Sequence, residues 1–419
     1  MTFHPLCTIP SAFHSGAHLG ITSVCSAHPI VIKAALMHGA QKQSLVLIEA
    51  TCNQVNQDGG YTGMTPADFR EFVFEIAHEV GFDTKALILG GDHLGPNPWK
   101  HLDPETAMQK AEDMIVAYAR AGFSKLHLDT SMGCKGEPAA LDDMMTATRA
   151  ARLAAAAEAQ DMPTPPVYVI GTEVPVPGGA THALDMLEVT APNAVIQTIN
   201  IHRDAFASNG LTAAFDRVVG VVVQPGVEFG HSDVIQFNPS AATGLSATLS
   251  DFPNLVFEAH STDYQTPENL RALVAQGFAI LKVGPWLTFA LREALYGLDA
   301  IADVLDGKTP ENSVMRSMET VMQSNPKNWA SYYSGSDDEL WFQRHFSLSD
   351  RIRYYWGDPM AQQAVANLMD RLKGRTIPVP LLGQYLGGLG IKDDQPDAET
   401  VLIRSVQDVL ARYHRAITA

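Results

Sequence analysis

Eight short apolar runs recur over roughly the first 300 residues, most of them separated by stretches whose apolar positions fall at helical spacing. No other feature limits the fold so strongly. The runs occupy 20–27, 44–51, 86–89, 125–131, 166–174, 217–226, 254–261 and 279–285. Between them lie helical patterns with clear starts: Pro29 in the first turn of 29–41, Thr65 as the N-cap of 65–82, Asp103 before 104–123, an alanine-rich stretch at 141–160, and Thr266 before 267–278. Strands separated by helices pair in parallel, and eight such units suit a (β/α)₈ barrel, with an open doubly wound sheet as the competitor. The stretch 176–216 is longer than one helix requires. Beyond about residue 300 the repeat stops, so 1–300 is expected to form the barrel and 301–419 a C-terminal helical extension packed on it, rich in Tyr and Trp around 331–359.

Charge and cysteine usage narrow the partners. The 419 residues carry 29 Lys plus Arg against 46 Asp plus Glu, a net charge of −17 that repels a phosphate backbone and argues against nucleic acid. Four dispersed cysteines, Cys7, Cys25, Cys52 and Cys134, form no CxxC pair, which disfavours a zinc knuckle or a disulfide framework and fits a reducing cytoplasm. The N-terminus has no basic n-region followed by an apolar h-region, and no run of eighteen apolar residues occurs, so neither secretion nor a membrane span is expected. Neither G-x-G-x-x-G after the first run nor a P-loop is present, which removes the main support for dinucleotide or P-loop readings.

In a barrel the C-terminal ends of the strands share one mouth, so polar residues there gain weight. The runs end in Ser26 and His28, Glu49 and Thr51, Asp92 and His93, Asp129 and Ser131, Glu173, Gln224, Glu258 with His260 and Ser261, and Lys282. The third run stops at Gly90 and Gly91, directly before Asp92 and His93. Period-two alternation puts Glu258 and His260 on one face of the seventh strand, and His127 and Asp129 on one face of the fourth. A mixed set of imidazoles and carboxylates suits zinc or another divalent metal with one position open to a substrate oxygen. The competing interpretation is a hydrogen-bonded polar layer without metal.

The segments "SVCSAHPIVIKAAL", "LIEATCNQVNQDGGYTGM", "GGDHLGP", "KLHLDTS", "GTEVPVPGG", "VFEAHSTDYQ" and "ILKVGPWLTFALREALYGL" together resemble the D-tagatose-1,6-bisphosphate aldolase non-catalytic subunit family, whose members are also labelled tagatose-6-phosphate kinases. The likeness covers essentially the whole chain. It implies a class II aldolase-like barrel, a role in cytoplasmic galactitol or amino-sugar catabolism, and association with a separate zinc-dependent class II aldolase chain. Compared with class II aldolases, Asp92 stands where a proton-handling Asp is found, and His93 and His260 stand where zinc ligands are found. The sixth strand departs from that pattern, carrying Gln224, Glu228 and His231 instead of a zinc His, and Gly284 stands where Asn is usual on the eighth. Glu173 or Glu258 would then complete a metal site made with His93 and His260.

Such a site would serve a ketose. A metal across the C2 carbonyl and C3 hydroxyl stabilises the enediolate formed when C3–C4 breaks, while Asp92, with Asp129 as a second candidate, handles the proton. Re-addition on the opposite face inverts C4, so the same residues suit an aldolase or a ketose 4-epimerase. Phosphate recognition is assigned to the loops after strands seven and eight, at Ser261, Thr262, Lys282 and Gly284, with Glu49, Ser131 and Gln224 as further substrate contacts. Three roles stay open: an accessory subunit of an aldolase, a metal-dependent epimerase or aldolase acting alone, and a kinase lacking a recognisable nucleotide motif. The partner would be an aldolase chain or a second copy of this one.

Overall fold

The computed structural model describes residues 4–171, 187–389 and 395–418. Eight parallel strands close into a barrel: β1 (Ile21–Cys25), β2 (Val46–Thr51), β3 (Leu87–Leu94), β4 (Lys125–Leu128), β5 (Val167–Ile170), β6 (Val218–Val223), β9 (Val256–Ala259) and β10 (Ile280–Val283), with β10 returning to β1. The two remaining strands, β7 (Glu228–Phe229) and β8 (Val234–Ile235), form a small antiparallel hairpin between β6 and β9. The expected barrel is therefore present, and the open sheet is excluded. Helices follow the expected starts: Thr65 and Asp68 make a capping box at Pro66–Glu79, and Asp103, Asp142 and Thr266 cap Pro104–Arg120, Asp143–Glu158 and Pro267–Ala275.

Two apolar shells hold this frame. The larger lies between the strands and the outer helices, taking outward residues such as Ile48, Leu126, Tyr168, Val221 and Phe257. A smaller one fills the lower half of the barrel with Ile21, Leu47, Ile88, Val167, Val256 and Ile280, and the N-terminal Leu6 and Ile9 plug it from below. Above that layer the inward positions turn polar. Alternation along the strands is responsible: Leu47 and Glu49, Ile88 and Gly90, Val256 and Glu258, and Ile280 and Lys282 share faces two residues apart.

The third strand differs from its sequence reading in an informative way. Gly90 and Gly91 do not end it; β3 continues through Asp92 and His93 to Leu94. A Cβ on Gly90 would stand 2.8 Å from Glu49 Cγ, and one on Gly91 would stand 2.6 Å from Leu94 Cδ1 and 2.8 Å from the Tyr118 ring. The glycines therefore make room rather than a break. Gly91 pairs with Leu126 and Leu94 with Leu128, so two residues of β3 face one of β4. That bulge falls on Asp92 and His93, and His93 takes a left-handed backbone with φ 47°.

The C-terminal residues wrap the barrel. The last helix, Ala398–Ile417, packs against Pro29–Lys42, Pro267–Ala275 and Pro285–Leu305, and the Ile417 carbonyl accepts from Gly20 N–H at 3.0 Å just before β1. Farther back, 347–354 crosses above the strand ends. Tyr333, Tyr355 and Trp356 of the aromatic region are buried, while Trp341 and Phe342 are exposed. Among the described residues, no helix is long and apolar enough to cross a membrane.

Candidate active site

Four carboxylates and two ammonium groups occupy the upper barrel. Lys125 lies between Glu49 Oε1 at 2.5 Å and Glu258 Oε2 at 2.6 Å, with all three side chains fully buried. These contacts lack good hydrogen-bond angles, so they act mainly through charge. Lys282 Nζ meets Glu49 Oε2 at 2.6 Å and also contacts Asp92 Oδ1. Burial pushes the Asp92 carboxyl up, but His93 and Lys282 outweigh it and hold Asp92 well below the usual carboxylate range. Glu258 is also pushed up by burial, and Lys125 and Lys282 reverse the shift. Asp129 is lowered by its bond to His93 against the same burial effect.

Three imidazoles converge above this layer. One potential ligand atom from each of Asp92, His93, His127 and His260 lies within 4.8 Å of the others. Each ring is held through one nitrogen by an acceptor: His93 Nδ1 by Asp129 Oδ2 at 2.9 Å, His127 Nε2 by the Gly171 carbonyl at 3.0 Å, and His260 Nε2 by Glu258 Oε1 at 2.8 Å. An N–H donated to each acceptor puts the lone pair on His93 Nε2, His260 Nδ1 and His127 Nδ1, the last of which also accepts from the His93 backbone N–H at 3.2 Å. Acceptors behind imidazoles orient and strengthen them as metal ligands. With neutral imidazoles, Glu49, Asp92, Asp129 and Glu258 against Lys125 and Lys282 leave an excess of two negative charges. A divalent cation would cancel that excess, so the residues present fit one in both donor type and charge.

The structure brings Asp92, His93 and His260 together as expected, with Asp129 behind His93 and Ser131 Oγ donating to Asp129 Oδ1 at 2.8 Å. Glu49, Lys282 and Glu258 lie in the charged layer beneath. Gln224 folds back, its Oε1 accepting from Gly226 and Val227 N–H at 2.7 and 2.9 Å, and so shapes the turn after β6. Gly284 N–H donates to Asp263 Oδ1 at 3.1 Å, and half-buried Ser261 has φ 51° just past β9. Glu173 falls outside the described residues. The sequence pattern places His127 on the inward face but gives it no role, and it leaves Lys125 unused. The alternation Lys125-x-His127-x-Asp129 is the available signal.

Known proteins match this chain over nearly its whole length. The model of the D-tagatose-1,6-bisphosphate aldolase subunit GatZ/KbaZ-like family matches residues 6–418. A D-tagatose 6-phosphate 4-epimerase of Agrobacterium fabrum (strain C58) is 55% identical over 414 residues, covering 97% of each chain. The crystal structure of a probable tagatose 6 phosphate kinase from Sinorhizobium meliloti 1021 is 57% identical and superposes with a TM-score of 0.89, covering 95% of this chain and 100% of that one. The charged barrel mouth thus sits in a sequence matched over nearly its whole length, and the chain belongs to the D-tagatose-1,6-bisphosphate aldolase subunit GatZ/KbaZ-like family.

Proposed function

We propose that the chain is a divalent-metal-dependent ketose 4-epimerase acting on a ketose 6-phosphate such as tagatose 6-phosphate, by reversible cleavage of C3–C4. The observation that carries this reading is the trio His93, His127 and His260, each oriented from behind by an acceptor and set beside ionised Asp92. In this reading His127 fills the ligand place the sequence assigned to Glu173 or Glu258, and Glu258 orients His260. His93, His127 and His260 would hold a divalent cation, zinc being well suited to three imidazoles, and it would supply Lewis acidity to the ketose oxygens. Asp92 takes the proton from the C4 hydroxyl as C3–C4 breaks, and the bonding electrons remain with the C1–C3 fragment. The C4 aldehyde turns, C3 attacks its other face, and Asp92 returns the proton to the C4 oxygen. Nothing is oxidised or reduced. Lys282 stays against Asp92 and balances its charge when the proton leaves, and Asp129 with Ser131 keeps His93 in its tautomer.

The name of the Agrobacterium relative supports the epimerase over the aldolase, and the family description favours a second role as the supporting chain of a class II aldolase. The kinase name of the Sinorhizobium protein is not carried over, because the sequence has no P-loop or Gly-rich kinase loop. Four free thiols suit a reducing compartment, and we place the reaction in the cytoplasm. The test is conversion of tagatose 6-phosphate to fructose 6-phosphate by the purified chain. Asp92→Asn should lower turnover by about 10² to 10⁴ while retaining metal. A purified chain that only extends the lifetime of an added aldolase, with no turnover of its own, would support the second role instead.

A further inference from the structure

Three of the four groups that the sequence assigned to a phosphate, all but Ser261, are engaged elsewhere. Lys282 Nζ is held by Glu49 and Asp92, Thr262 Oγ1 donates to the Lys282 carbonyl at 2.6 Å, and Gly284 N–H is taken by Asp263. A different source of positive charge lies over the barrel mouth. Segment 347–354 is tied to elements that follow four strands. Leu348 N–H donates to the His231 carbonyl at 2.8 Å, Tyr264 Oη to the Leu348 carbonyl at 2.7 Å, and Thr288 Oγ1 to Asp350 Oδ2 at 2.5 Å. The Tyr354 ring meets the Tyr61 ring edge-on, with centroids 5.1 Å apart. These contacts join the segment to the loops after β2, β6 and β9 and to the first turn of the helix after β10.

This segment carries Arg351 and Arg353, and Arg292 lies beneath it. Arg292 Nε is 3.5 Å from Asp350 Oδ1. Arg351 is buried, with its guanidinium 3.3 Å from the Tyr332 ring centroid and its Nε on the Asn328 carbonyl, which leaves it a structural part. Half-buried Arg353 differs. It donates through Nη1 to the Ser349 and Asp350 carbonyls and through Nη2 to Tyr354 Oη at 2.9 Å, and among the described residues no carboxylate lies within ion-pair distance. Its Nε–H and part of its fork therefore have no protein acceptor there. Asp263, pushed up to about 6 by burial, is near enough for Arg353 to lower it in return. Its neighbour Tyr354 lies against Tyr61 of the loop after β2, which keeps this guanidinium on the segment that crosses the strand ends. Three guanidiniums and two carboxylates give the roof a positive excess, opposite in sign to the chamber below it.

We infer that Arg353 anchors the phosphate of a ketose 6-phosphate whose C2 and C3 oxygens occupy the His93, His127 and His260 site. The inference rests on the epimerase reading and adds its recognition element. After C3–C4 cleavage the phosphate belongs to the aldehyde fragment, the part that has to turn without leaving. Planar, always charged arginine suits this grip better than lysine. Arg353 thereby favours re-addition over release, which separates an epimerase from an aldolase.

Two variants test this: neutral Arg353→Gln, which keeps an amide able to bond the Ser349 and Asp350 carbonyls, and Arg353→Lys, which keeps the charge. Arg353→Gln should lower kcat/KM for tagatose 6-phosphate by about 10- to 100-fold, change that for unphosphorylated tagatose far less, and release more triose per epimerisation. Arg353→Lys should recover part of the difference. Equal losses on both ketoses would make Arg353 merely structural and overturn the inference. Calorimetry with inorganic phosphate, with unfolding temperatures measured alongside, separates this from failure of the epimerase reading. Wild type should bind phosphate, Arg353→Lys more weakly and Arg353→Gln weakest. Equal binding by wild type and Arg353→Gln, or none by wild type, would refute the anchor even if epimerisation is observed.

Discussion

The chamber and the roof of this barrel are built on opposite plans. The chamber stands on strand ends, where Glu49, Lys125, Glu258 and Lys282 face one another in full or nearly full burial and balance, so that Asp92 and Asp129 above them leave two negative charges uncompensated. The roof stands on a single turn of 3-10 helix, Arg351–Tyr355, entered through Asp350 at φ 47° and carrying positive charge over tyrosine faces. Strands fix ligands to within the tolerances that chemistry needs, whereas an appended segment can change what is recognised without disturbing them. Under the proposed reaction, the chamber performs the bond chemistry and the roof selects and retains the substrate.

The comparison can first be broken at its most buried point. Lys125→Met leaves Glu49 and Glu258 facing each other without their shared cation and should cost about 3 to 5 kcal/mol, visible as a fall in the denaturation midpoint. A loss below about 1 kcal/mol would mean that the carboxylates take up protons or water easily and that the chamber is not charge-locked. Gly90→Ala probes the same layer through shape. Its Cβ would meet Glu49 Cγ at 2.8 Å, so Glu49 or β3 must shift, at a cost of about 1 to 3 kcal/mol. An unchanged midpoint would show that Glu49 yields easily and that the glycine is not needed to clear space for it.

The smallest effect concerns the join between the two regions. Burial raises the Asp263 carboxyl to about 6, so the folded chain holds that proton more tightly than the unfolded chain. Its ionised form therefore costs stability above pH 6, and the cost disappears as pH falls from 6 toward 4. Asp263→Asn keeps an Oδ1 acceptor for Gly284 and Trp286 N–H, so it should gain on the order of 1 kcal/mol at pH 8 and progressively less toward pH 4. Unfolding midpoints compared at those pH values check the sign; a gain that grows on acidification would contradict it.

The barrel and most of the chamber were legible because both follow from a period of two. An inward Leu47 implies an inward Glu49, an inward Val256 an inward Glu258 and His260, and strand ends in a closed barrel share a mouth. The extent of β3 was not legible, since a glycine pair has the same local signature whether it ends a strand or clears space for a carboxylate on its neighbour. His127 was missed because a histidine between two leucines in "KLHLD" suits a core position equally well until its partner, the Gly171 carbonyl, is known. The roof was beyond local pattern altogether. The contact of Tyr61 with Tyr354 spans most of the chain, and nothing in "RIRYYW" separates the structural Arg351 from Arg353, whose fork keeps unbonded N–H groups.

The central claim is that three oriented imidazoles hold a cation that the reaction requires. Elemental analysis of purified wild type and His93→Ala, paired with tagatose 6-phosphate turnover before and after chelation, tests it most directly. Wild type should carry about one divalent cation per chain, most of it lost from His93→Ala, with C4 inversion abolished by chelation and restored by adding the metal back. Metal occupancy unchanged in His93→Ala, or inversion that continues at full rate in metal-free protein, would contradict it.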